Sequence, residues 1–302
     1  MKIYNNANLS KKHLKGVIAI GNFDGLHLGH QKVINEAKQK AKNHKLPFGV
    51  MTFEPVPVMF FTKKTKDHRI NSLQQKKTQL KKFKLDFLAI IKFNKKFSSL
   101  TAEEFIEKII FKKTKCRYLY VSKNFKFGFK RRGDIKTLNK FEKKFHYQNI
   151  ITKPYKKNNK TISSTFIRKK IRSGEMKLVN KLLNRNWCVE GKVIKGKKRG
   201  RKIGFPTCNM NLNSYVIPKL GVYAVNIITD KFNKNGVANL GFRPTFNGQS
   251  LLLETNIFGI NKNLYNKVIS VSFKKFIRSE KKFKNLDYLK KQIKIDIKKA
   301  KK

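Results

Sequence analysis

The sequence predicts an N-terminal α/β domain built on a parallel sheet, followed by a small antiparallel β-barrel domain that ends in a helix. Up to about residue 184, short apolar runs alternate with segments of helical period, which is the pattern of a parallel α/β sheet. Beyond that point the helical period fades, and short strand-like runs are separated by Gly and Pro. A length of 302 residues fits two domains. We therefore predict domains at residues 1–184 and 185–302.

The first element is the stretch VIAIGNFDGLHLGH at residues 17–30. Its apolar start predicts a strand, its glycines a tight turn, and the apolar residues after it a helix. Such a turn leaves backbone N–H groups at the helix N-terminus available for phosphate. His27 and His30 lie three residues apart and point the same way, where they suit a polyphosphate. A metal site is the alternative for a histidine pair, but the complete strand–turn–helix string favours a nucleotide site.

The following elements continue the alternation of strands and helices. Strands are predicted at residues 48–53, 86–93 and 118–121, and helices at 77–83 and from the N-cap Thr101 onward. Ligands of a parallel α/β sheet bind at the carboxyl ends of its strands, which is where the turn after residue 20 lies. Residues 124–128, NFKFG, suit an adenine or flavin ring, but an ordinary solvated turn explains them equally well.

The second motif of the first domain is ISSTFIR at residues 162–168. Its Ser and Thr oxygens cap a helix that is predicted to run to about Ser173, with Gly174 as the C-terminal glycine. Arg168 and Arg172 lie one helical turn apart on the same face. Taken alone, the segment is an ordinary capping sequence.

The second domain begins with short strands and a glycine-rich basic loop. Strands are predicted at residues 188–194, 221–228, 236–240, 251–258 and 268–273, with a packed helix over 286–297. The loop at 196–209, GKKRGRKIGFPTCN, runs into an extended segment on which Thr207 and Asn209 share a face. Their hydroxyl and amide oxygens suit Mg²⁺. A turn with local side-chain hydrogen bonds is the competing explanation, and on these residues alone it is the stronger one.

Glu254 lies in the apolar run LLLETNIF, on the same face as Leu252 and Asn256. A carboxylate in such a run needs a partner or a function. As a general base it would accept the proton of a hydroxyl that attacks ATP. A carboxylate at a solvated barrel rim is the alternative.

The composition bounds the class of protein. Lys and Arg number 72 against 17 Asp and Glu, a net charge of +55, which is typical of nucleic-acid or membrane binding. The lysines are spread over almost every segment of a Lys-, Asn-, Ile- and Phe-rich chain, so we attribute the charge to AT-rich codons and expect no specific nucleic-acid partner. No secretory h-region and no apolar run near the ~18 residues of a membrane span is found. Three scattered cysteines without CxxC predict neither disulfides nor zinc, and we expect a cytoplasmic protein without a membrane partner.

Together, the motifs GxFDGxHxGH, ISSTxIR, GRxxGFPTxN, GVANLGFRPTF, LLLETNIF and FIRSEKKF resemble, in this order, those of the bacterial bifunctional riboflavin kinase/FMN adenylyltransferases, the FAD synthetases. The resemblance runs from end to end. It implies a Rossmann-like nucleotidyltransferase fold in the first domain and a six-stranded riboflavin kinase barrel in the second. It also implies two reactions: ATP phosphorylates riboflavin to FMN, and a second ATP adenylylates FMN to FAD with release of pyrophosphate.

The resemblance further implies which residues form the sites. Glu254 would be the kinase base, and His27, His30, Ser164 and Arg168 would act on the phosphates of the adenylyltransferase. Mg²⁺ would be held by Thr207 and Asn209. The implied ATP- and flavin-binding positions are Gly21, Asn22, Phe23, Asp24, Gly25, Gly29, Asn124, Ser163, Thr165, Gly196, Gly200, Arg201, Gly204, Pro206, Asn209 and Arg278.

The sequence departs from the family pattern at a few positions. Val56 stands where FEPHP has its His, Ser122 where Gly is usual, Cys208 where PTAN has its Ala, and Asn256 where His often follows the catalytic Glu. Two other functions stay compatible with the chain, namely a riboflavin kinase with an inactive first domain and a basic nucleic-acid-binding protein that reuses the fold. The catalytic motifs in both domains argue against a nucleic-acid-binding protein.

Overall fold

The structure is a computed structural model that describes residues 1–62, 68–157, 159–196, 199–212, 214–245, 248–260 and 262–302. The chain packs into two compact units. One comprises Met1–Thr65 and Leu73–Ser163, and the other comprises Lys66–Ser72 and Ser164–Lys302. The functional boundary at residue 184 stays a prediction.

The first unit is built on a six-stranded parallel sheet with the order β1-β4-β3-β2-β5-β6. Its strands are β1 (Lys2–Tyr4), β2 (Val17–Ile20), β3 (Phe48–Glu54), β4 (Phe87–Lys92), β5 (Tyr118–Ser122) and β6 (Gln148–Thr152). A hairpin follows, with β7 (Lys156–Lys157) and β8 (Lys160–Thr161). Ile18 and Ile20 of β2 pack into one apolar cluster, whereas Val17 and Ala19 pack into another. Because side chains alternate along a strand, β2 is buried on both faces, which explains its unbroken apolar run.

The helices of this unit cover the sheet. They are α1 (Leu28–Asn43), α2 (Pro57–Thr62), α3 (Leu73–Lys81), α4 (Lys95–Ser98), α5 (Ala102–Glu104), α6 (Ile135–Lys140) and α7 (Glu142–Phe145). A π-helix, Phe105–Lys113, continues α5, and short 3₁₀ turns lie at Lys11–His13 and Phe129–Arg131. The predicted cap at Thr101 is confirmed, since its hydroxyl accepts from the Glu104 N–H and the Glu104 carboxylate accepts from the Thr101 N–H.

The second unit carries a six-stranded antiparallel sheet with the order β10-β13-β12-β11-β14-β9. Its strands are β9 (Trp187–Lys192), β10 (Cys208–Asn211), β11 (Gly221–Ile228), β12 (Asn233–Thr245), β13 (Gly248–Ile257) and β14 (Val268–Arg278). A bridge between Ile194 and Asn209 joins the two edges, so the sheet is a nearly closed barrel. The predicted β-barrel is therefore confirmed.

The described part of the second unit contains the helices α8 (Ser164–Arg172), α9 (Met176–Leu183), α10 (Arg199–Lys202) and α11 (Leu286–Lys301). The predicted terminal helix corresponds to α11, whose Ile297 and Ala300 pack against Val222, Ala224 and Val237 of the barrel. The short segment at residues 68–72 joins this unit, because the Trp187 indole N–H donates to the Ile70 carbonyl at 2.7 Å. Among the described residues, no helix has the length and apolar composition needed to cross a membrane.

Candidate active sites

The glycine turn after β2 lies at the point of the first unit's sheet where the strand order changes direction. From β2 the chain adds β3 and β4 on one side, and later β5 and β6 on the other. Because β2 and β5 are parallel neighbours, their carboxyl ends meet at one edge. The turn at Gly21 to Gly25 and the exposed Asn124 after β5 therefore share the edge where ligands of such sheets bind.

The two histidines of the turn are brought together. His27 is the N-cap of α1, and its Nδ1 accepts from the His30 N–H at 3.4 Å. Their rings stack with centroids 3.7 Å apart, and Phe23 meets the His30 ring edge-on at 5.3 Å. His27 is buried, whereas His30 is half-buried. The predicted parallel orientation of the pair is present at the N-terminus of a 16-residue helix.

The backbone of the turn is strained at two residues that carry side chains. Phe23 and Leu26 have φ of 46° and 44°, values that L-residues adopt at a cost of about 1–2 kcal/mol each. Gly25 between them has a φ of 87°, which only glycine adopts readily. At Gly29, a β-carbon would lie 3.2 Å from the His27 ring and 3.4 Å from the Ile162 carbonyl oxygen. The glycines therefore leave room for the histidine pair.

A buried lysine holds this turn from behind. The Lys76 ammonium on α3 donates to the Asn22 carbonyl at 2.9 Å and lies 3.4 Å from the Thr52 hydroxyl, which itself donates to the same carbonyl at 3.1 Å. Lys76 is absent from the predicted site. Its contact with Asn22 spans 54 residues, and no local pattern announces it.

The ISST motif spans the boundary between the two units in the chain. Ser163 ends the first unit, and α8 begins at Ser164 in the second. The helix ends at Arg172, and Gly174 adopts a left-handed φ of 77°, as predicted for a C-terminal glycine. The Arg168 guanidinium Nε donates to the His68 carbonyl at 2.8 Å, so Arg168 anchors the segment at residues 68–72 to α8. The phosphate roles of Ser164, Thr165 and Arg168 stay predictions.

In the barrel, three polar residues form one row across neighbouring strands. Asn209 of β10 is paired with Glu254 of β13, and Glu254 is paired with Asn239 of β12. Residues directly opposite each other project from the same face of a sheet. The amide oxygens of Asn209 and Asn239 are both buried and have no hydrogen-bond partner among the described residues. Asn239 is missing from the predicted site, because strand register, which the sequence does not give, places it beside Glu254.

Glu254 has a charged partner. Nε and Nη2 of Arg243 both donate to its Oε2, at 3.0 and 2.8 Å, while Nη1 donates to Glu280 Oε1 at 3.1 Å. Burial lowers the pKa of the Arg243 guanidinium, but its hydrogen bonds with Glu254 and Glu280 raise that pKa above the ordinary value overall. The Glu280 carboxylate lies close to Gly241, where a β-carbon would overlap it.

The glycine-rich loop packs against the residues predicted to bind Mg²⁺. A β-carbon on Gly196 would overlap the Asn209 amide, and one on Gly200 would lie 3.3 Å from the Thr207 hydroxyl. Thr207, Pro206 and Arg201 line a small open cavity together with Lys262 and Tyr265. Lys197 and Lys198 of the loop lie outside the described residues. The Asn209 amide oxygen is buried without a partner among the described residues, two positions along the chain from the Thr207 hydroxyl, and such oxygen donors fit a hard cation.

Two other residues singled out in the sequence make structural contacts. The Asn256 amide, which replaces a frequent His, donates to the Pro206 carbonyl at 2.7 Å and so fixes the start of the PTCN segment. Arg278, predicted to bind a substrate, makes a bidentate ion pair with the buried Asp296 of α11, with distances of 2.8–3.0 Å.

Comparisons with known proteins address the chain as a whole. A family model described as FAD synthetase matches residues 9–166, and one described as riboflavin kinase matches residues 183–302. A bifunctional riboflavin kinase/FMN adenylyltransferase from Buchnera aphidicola subsp. Schizaphis graminum is 38% identical over 300 residues, which cover 98% of this chain and 96% of the relative. Its counterpart from Haemophilus influenzae is 37% identical over 303 residues, covering 100% of this chain and 98% of the relative.

The fold recurs in a crystal structure described as a macrolide-efflux protein from Streptococcus pneumoniae. The TM-score is 0.89 at 29% identity, over 99% of this chain and 98% of that chain. The two family models match in the order that the motifs predict, and the predicted enzyme class is confirmed by the full-length relatives. The chain belongs to the bifunctional riboflavin kinase/FMN adenylyltransferase family.

Proposed function

We propose that the barrel phosphorylates riboflavin to FMN with ATP, and that the parallel-sheet unit then transfers the adenylyl group of a second ATP to FMN, giving FAD and pyrophosphate. The observation that carries this assignment is the row formed by Asn209, Glu254 and Asn239 across the neighbouring strands β10, β13 and β12. An acidic residue between two buried amide oxygens without a partner among the described residues forms a polar site on the face of the barrel sheet where α11 also packs. Such a site suits a hydroxyl substrate and a charged nucleotide.

In the kinase step, the ribityl 5′-hydroxyl attacks the γ-phosphate of ATP, and ADP leaves. Glu254 accepts the hydroxyl proton through Oε1, because Arg243 already occupies Oε2. Arg243 thereby fixes the direction of the base. Thr207 and Asn209 would hold Mg²⁺, which neutralises charge on the ATP phosphates. The remaining contribution to catalysis is positioning of the phosphates. Gly196 and Gly200 of the loop pack closely against Asn209 and Thr207, the proposed Mg²⁺ ligands.

In the adenylyl step, a phosphate oxygen of FMN attacks the α-phosphate of ATP, and pyrophosphate leaves. The N–H groups of the turn at Gly21 to Gly25 and the N-terminus of α1 bind the phosphates, favoured by the helix dipole. His27 and His30 donate hydrogen bonds to the oxygens on which negative charge accumulates. Ser164, Thr165 and Arg168 stay predicted contributors to this step.

The setting of these reactions is also part of the proposal. The three cysteines are free thiols in the described structure, which suits a reducing cytoplasm. The partners are the small molecules ATP, riboflavin and FMN, and the positive charge of the chain attracts such anions without a dedicated nucleic-acid site.

The direct test is to incubate the purified protein with riboflavin, ATP and Mg²⁺ and to separate the flavins by chromatography over time. We expect FMN first and FAD after it. FMN without FAD would assign the chain to the kinase reaction alone, with an inactive parallel-sheet unit. If no phosphorylated flavin forms, the proposal is wrong.

A variant separates the two sites within one protein. Glu254→Gln removes the base but keeps the shape of the side chain, so FMN formation should fall by about 10²–10⁴-fold. FAD formation from supplied FMN should stay at the wild-type rate, because the second reaction uses the other unit. If FMN formation survives the substitution, Glu254 is not the base.

A further inference from the structure

We infer that Lys76 is a positioning residue of the adenylyltransferase site: its ammonium fixes the Asn22 peptide, and thereby the direction of the N–H groups that receive the ATP phosphates. The inference rests on the proposed function of the HxGH turn. It adds a residue from α3, which follows β3 in the chain, to a turn that the sequence assigned to residues 21–30 alone.

The contacts of Lys76 hold the Asn22 carbonyl in a fixed position. The residue is 1% exposed, and Thr52, whose hydroxyl shares the same acceptor, is 0% exposed. Two donors thus converge on one carbonyl oxygen, that of Asn22, at 2.9 and 3.1 Å. Thr52 belongs to β3, the neighbour of β2, so the carbonyl is tied to the rigid sheet as well as to α3. Asn22 is the second residue after β2 and lies directly before the strained Phe23.

The direction of these hydrogen bonds determines what the other side of the peptide does. In a trans peptide unit the C=O and the following N–H point in opposite directions. The Asn22 carbonyl points toward two buried donors, so the Phe23 N–H points away from them. The left-handed φ of Phe23 and the φ of 87° at Gly25 then set the following N–H groups. Successive N–H groups in such a turn form an anion-binding concavity.

The choice of lysine is informative because an apolar residue would suit the position better for packing alone. Lys76 lies on the buried face of α3, near Leu80, which is 0% exposed. Burial of an ammonium is unfavourable unless its donors are satisfied. Because Lys76 is buried despite this unfavourable free energy and hydrogen-bonds to the turn after β2, we assign it a role in positioning that turn. If a neutral residue of the same length replaced Lys76, the Asn22 carbonyl would lose the ammonium as a donor and keep the Thr52 hydroxyl.

The test compares three variants of the full-length protein in the FMN-to-FAD reaction. Lys76→Met removes the ammonium but keeps the length of the side chain, and Lys76→Gln keeps an N–H donor without the charge. Lys81→Met makes the same charge change at an exposed residue, the last of the same helix. For Lys76→Met we expect the KM for ATP to rise about tenfold or more, with the KM for FMN within twofold of the wild type. Lys76→Gln should recover part of the loss, and Lys81→Met should match the wild type.

The riboflavin kinase activity of the same preparations is the internal control, because it resides in the other unit. A purely structural role would reduce the amount of active adenylyltransferase and lower its kcat, but it would leave the KM for ATP unchanged. That result would overturn the inference, as would equal behaviour of Lys76→Met and Lys81→Met. If Lys76→Met does not fold, Thr52→Val, which removes the second donor to Asn22, must raise the KM for ATP in the same selective way. A wild-type protein that makes no FAD would instead refute the proposed function.

Discussion

At the scale of single residues, Arg243 decides which oxygen of Glu254 faces the substrate. Two of its nitrogens bond to Oε2, while the third bonds to Glu280. Arginine remains protonated at every pH that a folded protein tolerates, so this orientation does not depend on pH. The described hydrogen bonds of Glu254 all use Oε2, which leaves Oε1 as the proton acceptor in the proposed kinase step.

Replacement of Arg243 tests this orientation. In Arg243→Met the carboxylate of Glu254 is no longer directed, and the kcat for FMN formation should fall about tenfold to a hundredfold, a part of what a general base contributes. FAD formation from supplied FMN should be unchanged. Lys234→Met, an exposed position on the same strand β12, is the matched control. Equal losses in both reactions would point to unfolding rather than to a misdirected base.

Cys208 lies between the two proposed Mg²⁺ ligands, and we predict that its thiol reacts slowly with alkylating reagents. Burial raises its pKa to about 11, so about one molecule in a thousand carries the thiolate at pH 8. Because the thiolate is the reactive form, alkylation of Cys208 by iodoacetamide should accelerate about tenfold per pH unit between pH 7 and pH 10. Mass spectrometry of the peptide gives the rate, and the chain in guanidinium chloride provides the unperturbed reference. Rapid labelling of the folded protein at pH 7 would contradict the burial argument.

At the scale of elements, the terminal helix α11 is tied to the barrel by a buried ion pair. Asp296 is 3% exposed and accepts from Nε and Nη2 of Arg278 and from the Gln292 amide. Removal of the Asp296 charge leaves the Arg278 guanidinium poorly compensated. Asp296→Asn should therefore lower the free energy of unfolding by about 3 kcal/mol. The single tryptophan, Trp187 of β9, reports urea unfolding of this unit by fluorescence.

Two outcomes of that measurement are informative. Lys299→Gln, an exposed position on α11, should leave the urea midpoint within experimental error and serves as the control. If Asp296→Asn has the same midpoint as the wild type, the ion pair does not hold the helix in place. In that case Arg278 is available for the substrate role that the sequence predicts for it.

The elements also mark the limit of what the sequence could predict. Local sequence patterns predicted β2, β11 and α11 well. A strand that is buried on both faces is a continuous apolar run, and a helix that is buried on one face has apolar residues at helical spacing. The helix predicted at residues 77–83 begins at Leu73 instead, since the buried polar residues Gln75 and Lys76 break the apolar period of α3. Because of this break in the pattern, the sequence analysis did not identify Lys76 as a residue of the site. Asn239 was missed because the pairing of β12 with β13 places it opposite Glu254. Arg243 was missed because it is paired with Ser250 and reaches Glu254 only through its long side chain.

At the scale of the whole molecule, the excess of positive charge opposes folding. The chain has 72 cationic and 17 anionic side chains, so one-to-one pairing would still leave 55 cations without a counter-charge from the protein. Many of the ion pairs present, such as Lys108–Glu104 and Lys112–Glu107, lie on the surface, where each contributes about 0–1 kcal/mol. Repulsion among the remaining lysines therefore destabilises the compact state.

Added salt should stabilise this protein against heat. Between 10 and 100 mM NaCl the screening length falls from about 30 to about 10 Å, which weakens repulsion between lysines more than it weakens contacts at ion-pair distance. Each kcal/mol of relieved repulsion should raise the unfolding midpoint by roughly 2–4 °C in a domain of this size. The measurement is the thermal midpoint by circular dichroism over that range, with sucrose at matched osmolality as the control, since sucrose does not screen charge. A midpoint that stays constant or falls as NaCl increases would mean that the lysines are spaced widely enough for their repulsion to be negligible, and that the +55 charge has no bearing on the stability of the fold.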